Sequence, residues 1–233
     1  LSSSEERRRV LASLSVDFVI EEPFTKELAS LSAEGFLSRL VETLAPRTVV
    51  VGENFSFGAG GRGMPEFLTA QGKNMGFRVE KAPLLSHAGE TVSSTRIRVL
   101  LSAGDVRLAG ELLGRPFSIT GVVVHGDERG RTLGFPTANL RLYDPLKLIP
   151  ARGFYLTEVE VRGSHWWGMT NVGDILETHI FDFDEDIYGL DLSVRFRRWM
   201  RPMCSFEDLD ALKAQLAADE AACRAQLSDC RPA

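Results

Sequence analysis

Apolar residues along this chain follow two different periods. Before residue 114 they recur at helical spacing between short continuous apolar runs; after residue 117 they alternate with polar residues. Ser2 and Ser3 each stand three residues before a glutamate, Glu5 and Glu6, a capping-box pattern that opens a helix through about Leu14. Phe18-Val19-Ile20 reads as a short strand. Phe36, Leu37, Leu40, Val41 and Leu44 form the apolar stripe of a helix over 33–44. The run Thr48-Val49-Val50-Val51, ending in Gly52, predicts a strand buried on both faces. A helix over 64–75, a strand over 77–82 and helices over 94–103 and 105–113 follow. This alternation predicts a parallel sheet covered by helices. Gly114 is placed to cap the last helix, and Arg115-Pro116 reads as a linker.

Beyond that seam, 119–124, 155–161, 176–183 and 192–196 read as strands without intervening helices. The last alternates cleanly, Leu192, Val194 and Phe196 against Ser193, Arg195 and Arg197. Strands joined by glycine-rich turns predict a small antiparallel barrel. A closing helix is expected with Ser205 as N-cap, Asp208 in its first turn, and Phe206, Leu209, Leu212 and Leu216 as its stripe. The chain divides into a 1–114 α/β domain and a 118–233 barrel with a C-terminal helix.

With 233 residues, no disulfide or metal staple is needed for stability. The net charge of −5 argues against a broad nucleic-acid-binding face, and no nucleic-acid or membrane partner is expected. No apolar run approaches membrane-spanning length and no secretory pattern opens the chain, so it reads as cytoplasmic. Cys204, Cys223 and Cys230 fit a reducing compartment. Nothing in the sequence specifies an oligomeric state.

Residues 125–140, HGDERGRTLGFPTANL, concentrate the candidate chemistry. Gly126, Gly130 and Gly134 mark backbone that bends sharply or lets something approach closely. Thr137 and Asn139 point to one side if the stretch is extended. Two readings stand: a hairpin turn followed by a proline-punctuated strand, or a loop closing over phosphates beside two fixed oxygen ligands. A P-loop is excluded, because three rather than four residues separate Gly126 from Gly130 and Arg131 stands in place of lysine.

The run GRTLGFPTANL resembles the flavokinase motif of the riboflavin kinase family. Further pieces resemble that family in the same order: Gly153 to Tyr155, Leu176-Glu177-Thr178-His179, Tyr188-Gly189, Arg201-Pro202 and Phe206. The first half is similar to the FMN adenylyltransferase module of bacterial FAD synthetases, through Val51-Gly52-Glu53-Asn54-Phe55-Ser56-Phe57-Gly58 and Ser93-Ser94-Thr95-Arg96-Ile97-Arg98. The resemblance implies a nucleotidyltransferase-like, Rossmann-like parallel-sheet domain followed by a riboflavin kinase barrel. It implies Mg²⁺- and ATP-dependent phosphorylation of riboflavin to FMN, and adenylylation of FMN to FAD in the complete protein.

Phosphoryl transfer needs a phosphate cradle, a metal and a base. The resemblance assigns Glu177 as the catalytic base and Thr137 and Asn139 as Mg²⁺ ligands. Gly126, Gly130, Thr132, Gly134 and Pro136 are assigned to the ATP phosphates at the barrel. Ser93, Ser94, Thr95 and Arg98 hold ATP at a helix start, where N–H groups point outward; Ser94 or Thr95 is equally a good N-cap. Arg201, Phe206 and Asn54 are weaker flavin-binding candidates, Asn54 standing where the family usually has aspartate. Trp166 and Trp167 read as an ordinary strand pair, one ring on each face. No His-x-Gly-His run, the family's transferase motif, occurs in the chain. The α/β domain is therefore expected to be incomplete at its N-terminus, and the family's longer loop after Gly173 is missing too. A non-catalytic flavin- or nucleotide-binding regulator, or another small-molecule nucleotidyltransferase fused to a barrel, remain as alternatives.

Overall fold

The computed structural model describes residues 1–126, 130 and 133–227. In chain order the helices are α1 (Ser4–Ser13), α2 (Lys26–Ser30), α3 (Ala33–Leu44), α4 (Pro65–Met75), α5 (Ser94–Ser102), α6 (Val106–Leu113) and α7 (Leu209–Ala225). The strands are β1 (Thr48–Gly52), β2 (Arg78–Ala82), β3 (Ser86–His87), β4 (Glu90–Thr91), β5 (Phe117–Val124) and β6 (Ala138–Leu142). They continue with β7 (Gly153–Val161), β8 (Ser164–Val172), β9 (Leu176–Ile180) and β10 (Asp191–Arg201). Packing groups residues 17–92 into one compact unit, and 1–16 with the residues from 93 onward into a second. The division at 114–117 follows the change of apolar period; the packing parts instead on either side of 17–92.

In the 17–92 unit, the Ser32 hydroxyl accepts from Gly35 N at 3.1 Å and starts α3, whose apolar stripe meets β1 and α4 around Ala33, Leu37, Phe57, Leu68 and Phe77. β1 and β2 pair in parallel, Val50 opposite Glu80. The strand expected at 18–20 is absent: these residues join no ladder, with Phe18 and Ile20 87% and 67% exposed. β1 is covered on one face only, since Val50 is 63% exposed. The run Gly58–Gly63 carries G-x-G-x-x-G spacing between β1 and α4, yet its first and last glycines serve packing. A Cβ at Gly58 would stand 2.6 Å from Ala33 N, and one at Gly63 2.7 Å from the Phe57 ring.

The second unit is a closed six-stranded barrel, ordered β10-β5-β6-β9-β8-β7, with every neighbouring pair antiparallel. Period-2 alternation sends Phe117, Ile119 and Val123 of β5 and Leu192, Val194 and Phe196 of β10 into its interior. There Tyr155 packs edge-on against Phe196, with ring centroids 5.2 Å apart. Three interior threonines satisfy one another: Thr157 to Thr170 at 2.9 Å and Thr170 to Thr178 at 3.0 Å.

α7 covers the outer face of β7 and β8, burying Leu156, Met169, Phe181 and Cys223 together. Its N-cap is Asp208, which accepts from Ala211 N at 2.7 Å; Ser205 and Phe206 precede the helix. A carboxylate three residues closer to the apolar stripe thus wins over the serine. α1 opens with the expected capping box, built on Ser3 and Glu6. Glu6 then docks the helix on the barrel through a buried ion pair with Lys147 and a bond from Thr120 N. Strand β9 ends at Ile180, and Asp182 turns the chain with φ +55°, so 181–183 are not strand. β6, offered above only as one of two readings, and β8, marked above only by its tryptophan pair, complete the barrel.

Candidate active site

Strand register assembles a row of side chains on the outer face at one end of the barrel. Asn139 of β6 lies opposite Glu177 of β9, and Glu177 opposite Asn171 of β8. Asn171 in turn lies opposite Phe154 of β7, and Phe154 opposite Arg201 of β10. Directly opposed residues share a face, and five strands at about 4.8 Å spacing make the row roughly 19 Å long. Within it, Asn171 Nδ2 donates to Glu177 Oε2 at 3.1 Å, while Asn171 Oδ1 is buried with no partner among the described residues. The Arg201 guanidinium stands 4.1 Å from the Phe154 ring centre and grips Asp219 of α7 through Nε and Nη2. That carboxylate holds the Arg201 pKa above its ordinary value.

The glycine loop closes on the first member of this row. A Cβ at Gly126 would stand 2.1 Å from Asn139 Nδ2, so only glycine lets the backbone pass. A Cβ at Gly130 would stand 2.4 Å from the Phe135 carbonyl and 3.1 Å from Thr137 Oγ1. Gly134 has φ +86° with open space around it, a turn residue rather than a contact. Thr132 lies outside the described residues. The Pro136 carbonyl faces His179 Nδ1 at 2.8 Å. Thr137 and Asn139 share the wall of a cavity of about 550 Å³ with Val123, Ile180, Phe183 and Tyr188. Tyr188 stacks on His125 at 3.6 Å, and the following turn is tied to β5 by Gly189 N to Val123 O at 2.9 Å.

Thr137 and Asn139 make no side-chain hydrogen bond to described residues. Two neutral oxygens without a side-chain partner among the described residues, on a cavity wall, fit a hard divalent cation that also takes phosphate and water ligands. The barrel therefore brings together Gly126, Gly130, Pro136, Thr137, Asn139 and Glu177.

Other candidates lie elsewhere. Ser93 is the N-cap of α5, accepting from Arg96 N at 3.2 Å, so Ser94 and Thr95 fall in the helix's first turn. All three are exposed, as is Arg98. Asn54 is exposed in the turn after β1, in the other compact unit. Phe206 is half-buried ahead of α7, and Arg201 is committed to Asp219. Trp166 meets Phe183 edge-on at 5.2 Å while Trp167 packs toward α7, so the pair does split between faces. Sequence reasoning missed Asn171; it takes His179 for a packing or hydrogen-bonding residue and not a second base, without naming its partner Pro136. The ladder of β8 with β7 and β9 places Asn171 outward, and both its face and its partner are visible only from the register.

Two family models match the chain: one described as riboflavin kinase over residues 113–227, one as FAD synthetase over 1–96. A bifunctional riboflavin kinase/FMN adenylyltransferase of Pseudomonas fluorescens is 41% identical over 221 residues, covering 90% of this chain and 70% of that protein. The Escherichia coli K12 protein of the same description is 38% identical, covering 100% of this chain and 77% of its own. A crystal structure described as a macrolide-efflux protein from Streptococcus pneumoniae superposes with a TM-score of 0.86 at 35% identity. It covers 95% of this chain and 74% of that one.

Proposed function

The chain belongs to the family of bifunctional riboflavin kinase/FMN adenylyltransferases, and from that premise we propose that its barrel phosphorylates riboflavin to FMN while its 1–114 portion serves adenylylation of FMN to FAD. The observation that carries the kinase reading is the register that sets Asn139 opposite Glu177, beneath a glycine that could not be any other residue.

In this reading the adenosine of ATP occupies the 550 Å³ cavity, whose apolar wall includes Val123, Ile180, Phe183 and Ile187. Gly126 and Gly130 bring loop backbone N–H groups to the phosphates. Thr137 and Asn139 hold Mg²⁺, which supplies charge neutralisation on the phosphates when bound. Glu177 accepts the proton of the ribityl 5′-hydroxyl as it attacks, and the amide of Asn171 keeps that carboxylate oriented. Phe154 and Arg201, at the far end of the row, are the surface nearest the flavin ring. At the other module, the first turn of α5 supports phosphate binding by Ser94, Thr95 and Arg98. We place this chemistry in the cytoplasm, in keeping with the free thiols Cys204 and Cys223.

Glu177→Gln is the test. Removal of a general base lowers turnover by about 10² to 10⁴. Chromatographic separation of flavins after incubation with riboflavin, ATP and Mg²⁺ should show that loss. Binding of a nonhydrolysable ATP analogue, followed calorimetrically, should stay as in the parent. Undiminished turnover removes Glu177 as the base.

A further inference from the structure

We propose that His179 is a positioning residue, tying α7 to the peptide that presents Thr137 to the metal. This rests on the kinase reading above and adds a residue to it. His179 lies on β9 two residues after Glu177, faces outward and is 8% exposed. Its Nδ1 stands 2.8 Å from the Pro136 carbonyl oxygen. A carbonyl only accepts, so Nδ1 carries the hydrogen and donates. Phe135 and Phe181 meet the imidazole edge-on, with centroids at 5.5 and 5.8 Å, and fix its plane.

The opposite ring nitrogen faces α7. His179 Nε2 lies 3.9 Å from Glu220 Oε2. Glu220 is itself held by Arg224 Nε at 2.7 Å, and Arg224 forks onto both oxygens of Asp182 at 2.9 Å. A chain of bonds thus runs from the turn after β9 to Glu220 of α7, and His179 Nε2 faces that carboxylate at 3.9 Å while Nδ1 holds the backbone ahead of Thr137.

The location gives the bond its consequence. β6 begins at Ala138, whose partner Thr178 is the first ladder pair, so Thr137 lies outside the sheet. Pro136 has no N–H to anchor it. The Pro136 carbonyl and the Thr137 nitrogen belong to one planar peptide. Fixing that carbonyl therefore fixes the plane from which the Thr137 side chain projects. Without His179, no described hydrogen bond sets the plane.

The experiment compares His179→Ala, His179→Asn and Glu220→Gln in the whole chain. Asparagine places an amide N–H close to the position of Nδ1 but has nothing to turn toward Glu220. Loss of one such bond corresponds to about a tenfold change. His179→Ala should raise KM for Mg-ATP about tenfold with kcat within about twofold, because the ligand is misaimed in ground and transition states alike. His179→Asn should return KM to within about twofold of the parent, and Glu220→Gln should fall between. Amide hydrogen exchange over 135–140, measured without ligand, should quicken in His179→Ala and recover in His179→Asn. Equal KM and exchange in parent and His179→Ala overturn the proposal. So does equal impairment in the alanine and asparagine variants, which marks the ring as packing only. If the parent does not phosphorylate riboflavin, the kinase reading fails, and the exchange data alone decide whether His179 positions the peptide.

Discussion

Gly126→Ala probes whether the loop backbone closes on the metal-holding side chains. The new Cβ would stand 2.1 Å from Asn139 Nδ2 and 2.7 Å from Asn139 Cγ, whereas real Cβ contacts do not fall below 3.0 Å. Some 0.9 Å (3.0 less 2.1) must be found by moving one side or the other. Asn139 cannot give easily: it is 6% exposed and its strand pairs on both edges, with Val124 of β5 and Glu177 of β9. Overpacking of this kind costs about 1–3 kcal/mol, a fall of roughly 3–10 °C in melting temperature for a unit of this size. Either the loop is pushed off the phosphates or the amide is turned from the metal, so KM for Mg-ATP should rise about tenfold or more. Gly134→Ala is the control. It meets nothing within 4 Å and carries only the left-handed strain of φ +86°, about 1–2 kcal/mol. It should lower the melting temperature with a smaller change in KM. Steady-state phosphorylation at varied Mg²⁺ and ATP, beside thermal unfolding, measures both. In an Asn139→Ala background the clash has no partner, and Gly126→Ala should then add almost nothing. A Gly126→Ala enzyme with parental KM, or an effect undiminished in that background, refutes the close approach.

Two further outcomes concern stability. Lys147→Met leaves Glu6 buried without its cation and should destabilise the barrel unit by about 3–5 kcal/mol, while Glu6→Gln with Lys147→Met should recover most of that loss. Equal denaturant midpoints for the single and double variants count against the pair as the clasp of α1. Burial beneath α7 pushes the Cys223 thiol from an ordinary 9.0 up to about 12, with Asp219 and Glu220 adding to the shift. The folded chain keeps that proton where the unfolded chain loses it, so stability is full below pH 9 and falls as pH rises toward 12. Tyr155, raised by burial from 10.0 to about 12, adds to the fall. Cys223→Val should flatten the pH dependence of the denaturant midpoint between pH 9 and 11, and an unchanged slope would show the thiol is not its source.

Helices announced themselves through caps and stripes: α3 falls where its apolar spacing put it, and α6 ends at Gly114 as expected. Strands with one covered face, such as β5 and β10, were equally legible. β8 was not, because both of its faces are covered: Thr170 points into the barrel while Trp167 and Met169 meet α7, and the alternation disappears. The apolar triplet at 18–20 looked like a strand because composition cannot report whether a ladder partner exists. Within the site, Gly126, Thr137 and Asn139 could be picked out by local spacing along one segment. Asn171 could not, since what makes it part of the site is the residue across from it on β9. The same holds for His179, whose bond to Pro136 spans 43 residues.

That dependence on register ties the barrel interior to the chemistry outside it. Side chains alternate between faces, so a slip of β9 by one residue would turn Glu177 inward and carry Thr178 to the surface. The same slip would carry Leu176 and Ile180, 4% and 5% exposed, out of the interior, so burial already resists it. The threonines resist it in a different way. Thr178 is fully buried, and its hydroxyl is satisfied by Thr170, which is joined to Thr157. A slipped β9 strands these hydroxyls in an apolar barrel, at about 1–3 kcal/mol for each one left unpaired. The polar ladder inside therefore holds Glu177 opposite Asn139 and Asn171 on the far side of the same strands.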